Sequence, residues 1–178
     1  MITLALYIWL VPLLAFGIQI FLGKRLPRKG DWVSVSAIGI SFVLSLIMFV
    51  RMLLNYDPNF SVHTSIPWID AGNFKIAMGI YLDNLAITMA MAVSTVSFVV
   101  HIYSIGYMEG DPRYSRFFAY LSLFSFSMLG LIFFDNLFGI FMMWELVGLC
   151  SYLLIGFYFE KKSASDAGKK AFITNRVG

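Results

Sequence analysis

Charge is scarce in this sequence. Of 178 residues, 13% are charged and 60% are hydrophobic, where an ordinary soluble domain has about 25% and about 45–50%. That shortage excludes a water-surrounded globule, and a mean hydropathy of +0.80 makes lipid the solvent. Cysteine occurs once, as Cys150 in an apolar run. An intrachain disulfide is therefore excluded, as is a cysteine-ligated iron–sulfur cluster, and Cys150 reads as a small packing residue. The two histidines, His63 and His101, stand in different surroundings, and no pair has metal or haem spacing within a span. No Gly-rich phosphate loop is present, and no feature points to nucleic acid. The N-terminal stretch "MITLALYIWLVPLLAFGIQIFL" lacks a basic leader and a small-residue cleavage site, so it reads as a retained span and not as a signal peptide.

What is abundant is apolar length. Crossing the hydrocarbon takes about 20 apolar residues in a helix. Five stretches meet or approach that length, at 3–22, 32–54, 84–106, 117–134 and 137–158. Pro12 in the first is tolerable as a kink, because neighbouring helices satisfy the freed backbone groups. Only Asp135 and Asn136 separate the fourth span from the fifth, which predicts a tight helical hairpin. The fold class expected is an all-α polytopic membrane protein.

Lys and Arg set the orientation. The first, third and fifth loops carry Lys24, Arg25, Arg28, Lys29, Arg113, Arg116, Lys161, Lys162, Lys169 and Lys170, against Arg51 and Lys75 around the second. Ten basic residues against two place the odd loops in the cytoplasm and the N-terminus outside, by default in a bacterial plasma membrane.

The second loop is unlike the others. In "IPWIDAGNFKIAMGIYLD", Phe74, Ile76, Met78, Ile80 and Leu82 alternate on one side of a strand after a Gly72–Asn73 turn, a hairpin signal at 66–82. The hairpin reads either as an amphipathic lid on the membrane surface or as an edge that meets a neighbouring subunit. At the other end, "DAGKKAFITNRVG" starts a helical pattern and stops without a span, as a truncated chain would.

Against this apolar background Glu145 stands out in "MMWELVGLCSYLLIGFYF". A central acid costs roughly 2.5–3.5 kcal/mol on insertion scales. It survives there as the neutral acid or as a carboxylate paired with a cation from another helix, and a group held between those states is a proton-loading site. Phe141, Met142, Gly148, Leu149 and Tyr152 share its face; Gly148 admits a close helix, and Tyr152 carries the one polar tip. The alternative is an interhelical hydrogen bond that only glues helices.

The third span offers a weaker candidate. Ser94, Ser97, His101 and Ser104 fall on one helical face, as the lining of a water file would, with His101 as a relay group; small residues at a helix interface are the plainer explanation. Ser122 and Ser125, with Ser127 displaced around the helix, favour packing in the fourth span. Asp83 is placed to cap the third span. Arg176 stands either as the partner of a buried acid or in a solvated loop.

The runs "YSRFFAYLSLFSFSMLGLIFFDNLFGIFMMWELVGLCSYLLIGFYF" and "KKAFITNRVG" resemble the subunit L family of respiratory NADH:quinone oxidoreductase (complex I), related to the large subunits of multisubunit cation/proton antiporters. The resemblance implies the first part of a fourteen-or-more-helix antiporter-like fold. Residues 1–116 would hold three leading helices with an outer-face β-hairpin, and 117–178 the start of the first five-helix repeat. It implies that Glu145 is the proton-path carboxylate, facing a lysine on a later helix absent from this sequence. It also implies that the hairpin ties adjacent membrane-arm subunits together. The chain is expected to hold no redox centre of its own, with NADH, FMN, iron–sulfur clusters and quinone in other subunits. Expected partners are the other membrane-arm subunits, especially the neighbouring antiporter-like one, and the bilayer. The function expected is proton translocation coupled to quinone reduction, with cation/proton antiport or a structural scaffold as rivals.

Overall fold

The computed structural model describes residues 1–71 and 74–177, so the Gly72–Asn73 turn lies outside the described residues. Among the described residues six α-helices and one hairpin follow in order: α1 (Ile2–Leu22), α2 (Asp31–Leu54), β1 (Ser61–Ala71), β2 (Phe74–Asp83), α3 (Asn84–Tyr107), α4 (Tyr114–Phe133), α5 (Leu137–Ile155) and α6 (Lys162–Val177). The first five helices are long and apolar enough to cross a membrane. α1 runs unbroken through Pro12.

These helices are apolar on nearly every side, so what decides the inward face is size and polarity, not hydrophobicity. On α1 the buried stripe is Ala5, Ile8, Pro12, Ala15 and Gln19, while Leu10, Leu14, Ile18 and Phe21 face out. On α2 the buried stripe includes Asp31, Ser34, Ala37, Ser41 and Ser45. Lipid tails solvate Leu as well as a core does, so close approach of small residues drives helix association in a bilayer. The third and fourth helices complete the bundle: α1 packs on α2 and α4, and α3 packs on α2 and α4.

The bundle has two unlike ends. At the hairpin end an apolar cluster joins Ile8, Met48, Ile80, Leu82, Ile87 and Phe133. The other end gathers the basic turns. Lys29 Nζ donates to the Asp111 carbonyl at 3.0 Å, and Arg113 pairs with Glu160 at 3.2 Å while stacking over Phe159 at 4.8 Å. The odd-numbered loops therefore share one face and the hairpin lies on the opposite one.

The hairpin is longer than 66–82, pairing Ser61 with Asp83 at its base, and its register slips between Pro67 and Ile69. Trp68 is the extra residue. Proline is tolerated at such bulges, which re-aim a side chain; the Trp68 ring meets that of Phe138 of α5 at 5.6 Å, tilted by 45°.

Candidate functional site

Asp135 and Asn136 do more than turn the chain between α4 and α5. Asn136 Oδ1 caps α5 by accepting from Gly139 N–H at 2.7 Å, and its Nδ2 donates to the Ala77 carbonyl at 2.8 Å. Asp135 accepts from Gly79 N–H at 3.1 Å and from His63 Nε2 at 2.5 Å. A Cβ on Gly79 would overlap the Asp135 carboxylate, so glycine is required for this approach. Burial alone would raise the Asp135 pKa, but hydrogen bonds from His63 and Asn136 outweigh it and hold the carboxyl below its usual value. The hairpin is thereby fastened to the α4–α5 turn.

Glu145 lies at the middle of α5, on the flank where α6 packs. Its carboxylate pairs with Arg176 of α6. The pair is neither dry nor free, with Glu145 23% and Arg176 47% exposed at the side chain. Two features bring α6 this near. A Cβ on Gly148 would strike Asn175, and one on Gly168 would press on Gly156. Phe172 fixes the guanidinium from beneath, its ring 4.7 Å from Arg176 Cζ, and meets Tyr152 at 5.6 Å. The solvated-loop alternative for Arg176 does not hold: it stands on a helix and meets an acid.

His101 sits elsewhere, 0% exposed inside the four-helix bundle. Its Nδ1 lies 2.8 Å from the Ser97 carbonyl, and its ring is 6.2 Å from that of Phe118. Ser94 and Ser104 are buried beside it on the same helix face, as the spacing predicts. Ser125 and Ser127 turn back on carbonyls of their own helix, and Asp83 caps α3 through Ala86 N–H at 2.7 Å. Cys150 is fully buried. The structure does not bring His101 and Glu145 together; they belong to different helix packings.

Two groupings were not foreseen from the sequence. One is the His63–Asp135 fastening. The other is Asp31, 1% exposed, which pairs with Arg28 at 2.8 Å and accepts from the Tyr114 hydroxyl at 3.0 Å. Asp31 follows a basic run and Gly30 and precedes an apolar stretch, so it resembles an exposed loop residue. An acid immediately before a span, four residues C-terminal to a proline, is the signal that was available.

Comparison with known proteins bears on the whole chain. Residues 68–118 match the family model described as NADH-ubiquinone oxidoreductase (complex I), chain 5 N-terminus, and residues 134–178 match that of the NADH:quinone oxidoreductase/Mrp antiporter transmembrane region. The chain belongs to this antiporter-like subunit family. It is 42% identical to NAD(P)H-quinone oxidoreductase chain 5 of Picosynechococcus over 97% of its own length and 27% of that protein. It is 44% identical to NADH-quinone oxidoreductase subunit L of Rickettsia bellii, covering 99% and 27%. With F(420)H(2) dehydrogenase subunit L of Methanosarcina mazei it shares 45% identity, covering 98% and 25%. The chain thus spans about a quarter of the length of these relatives. Its fold is also that of a chain of the archaeal membrane-bound sulfane sulfur reductase, a respiratory membrane complex, with a TM-score of 0.76 at 18% identity over 95% of this chain and 33% of that one.

Proposed function

We propose that this chain is the leading membrane part of a proton-translocating subunit of an NADH:quinone oxidoreductase, with Glu145 as the carboxylate on the proton path. The observation that carries the reading is the Glu145–Arg176 pair between α5 and α6, the arrangement a gating acid needs. With the guanidinium against it, the carboxylate has its countercharge in place. When Arg176 is drawn away, the carboxylate loses its countercharge and takes up at Oε2 a proton from water on the proton path. Return of Arg176 releases that proton. The lysine implied by the family resemblance would be the next carrier.

The chain needs no redox cofactor for this work; NADH, FMN, iron–sulfur clusters and quinone belong to other subunits. Residues 1–116 act as the leading helices with their hairpin, and 117–178 open the first antiporter-like repeat. The basic face lies in the cytoplasm and the N-terminus outside, in a bacterial plasma membrane, as the distribution of Lys and Arg supports. The hairpin side faces outward, where Trp68 and Ile66 stay exposed for a neighbouring antiporter-like subunit.

The test is proton pumping by inverted vesicles carrying the full-length protein with Glu145→Gln, with assembly checked on a native gel. Pumping lost at intact assembly supports the reading. Normal pumping overturns it and leaves Glu145 as a packing hydrogen bond. Co-purification of NADH-oxidising subunits separates the redox role from cation/proton antiport.

A further inference from the structure

The route through α5 and α6 makes no use of the polar groups enclosed by α1–α4, yet these form a series running inward from the basic face. A cavity of about 290 Å³ opens there, lined by Arg28, Lys29, Asp31, Glu109 and Tyr114, with Ile105 as an apolar wall. Asp31 and Tyr114 are hydrogen-bonded to each other in its wall. One helical turn inward from Ile105 is His101, and one turn inward from Tyr114 is Phe118, whose ring lies 4.9 Å from Tyr114 and 6.2 Å from His101. One turn beyond Phe118 comes Ser122, and three residues beyond Asp31 comes Ser34 on α2.

His101, Ser122 and Ser34 are each 0% exposed. His101 Nε2, Ser122 Oγ and Ser34 Oγ have no hydrogen-bond partner among the described residues, and neither has Ser45 Oγ farther along α2. Elsewhere in the bundle hydroxyls are satisfied, as Ser41 is on the Ile8 carbonyl. Polar atoms left unpaired inside a membrane protein are costly, and groups of them are the places where internal water is held. The histidine is poised in a definite way. A carbonyl only accepts, so Nδ1 carries the hydrogen facing Ser97, and Nε2 presents a lone pair to the interior. Past Ser45, Met48, Ile87 and Phe133 seal the hairpin end.

We propose that α1–α4 enclose a water-filled inlet, entered from the basic face past Asp31 and Tyr114 and ending at His101 Nε2, a proton-handling site separate from Glu145. A hydronium in the cavity gives its proton to Nε2, forming imidazolium while Nδ1–H stays on the Ser97 carbonyl. The same N–H bond breaks when the proton passes back to water, so no co-reactant is needed. The proton role of His101 rests on the proposed function, whereas the existence of the inlet does not.

The experiment uses the full-length protein in its complex, with Cys150 and any other cysteine replaced by serine. Ser122→Cys is compared with Ala90→Cys, which lies in the sealed apolar end, for modification by a membrane-impermeant, positively charged methanethiosulfonate. The inlet predicts that Ser122→Cys reacts at least tenfold faster than Ala90→Cys, and only from the basic face. Equally slow reaction at both sites overturns the inlet. Ser34→Cys, nearer the mouth, serves as the second probe should Ser122→Cys fail to assemble. His101→Gln is expected to cut protons pumped per quinone reduced at least twofold; an unchanged ratio overturns the proton role. The thiol rates do not depend on pumping, so a silent Glu145→Gln would remove the proposed function and leave the inlet standing. Slow thiols beside a non-pumping Glu145→Gln would remove the inlet alone.

Discussion

α4 and α5 are neighbours of similar length and apolarity, yet 56% of the core stretch of α4 is buried against 22% for α5. α4 is surrounded by α1, α3 and α5, and its buried polar groups are Tyr114, Ser115, Ser122, Ser125 and Ser127. α5 has α4 on one flank and α6 on another, with Leu137, Phe141 and Trp144 bare. The one acid carried by these two helices, Glu145, is on the less enclosed of them. A fully packed charge is immobile, whereas a half-enclosed pair such as Glu145–Arg176 can separate without rebuilding a core. The comparison teaches that the more buried helix belongs to the frame, and that under the proposed function the charge that moves is mounted on its edge.

If so, damage to the frame costs stability and damage to the edge costs function. The largest stability effect is expected from Phe118→Ala, since Phe118 is 0% exposed and touches both Tyr114 and His101. A loss of about 3–5 kcal/mol is typical of such truncations, visible as a sharp fall in thermal stability and yield. Trp144→Ala on α5, half exposed, is expected to leave the melting temperature nearly unchanged. Next is Gly148→Leu, which collides with Asn175. It should push α6 away and abolish pumping with a smaller loss of stability, measured by pairing pumping with melting curves.

Smaller is the Glu145–Arg176 pair itself. A double-mutant cycle with Glu145→Gln and Arg176→Met should give about 1 kcal/mol of coupling or less in stability, although either change is expected to halt pumping. The smallest effect concerns the hairpin. Because the Asp135 carboxyl is held below its ordinary value of 3.8, its contribution to docking is complete above that value and is lost as pH falls through the lowered one. Asp135→Asn should remove this acid dependence, read as protease sensitivity of 61–83 against pH.

Much of this was legible in sequence because membranes constrain strongly. Span lengths located all five apolar helices, and alternation located the hairpin. The inward stripes were harder, since α1 is apolar all round and its buried face is marked by Ala5, Pro12 and Ala15 and not by its large residues. Asp31 went unread as a core group because it borders a basic turn, and only the packing of α4 on α2 brings Tyr114 to it. Glu145 was conspicuous by composition and Arg176 stood as one of two readings, partner of a buried acid or loop residue; the close approach of Asn175 to Gly148 decides for the partner. His63 and Asp135 lie 72 residues apart, and no local pattern links them.

The central claim is that Glu145 gains and loses a proton during turnover. Infrared difference spectroscopy of the full-length protein in its complex, resting against turning over, tests it most directly. The account predicts a protonated-carboxylic-acid C=O band that changes with turnover and is missing in Glu145→Gln. The same difference spectrum in both proteins would contradict it.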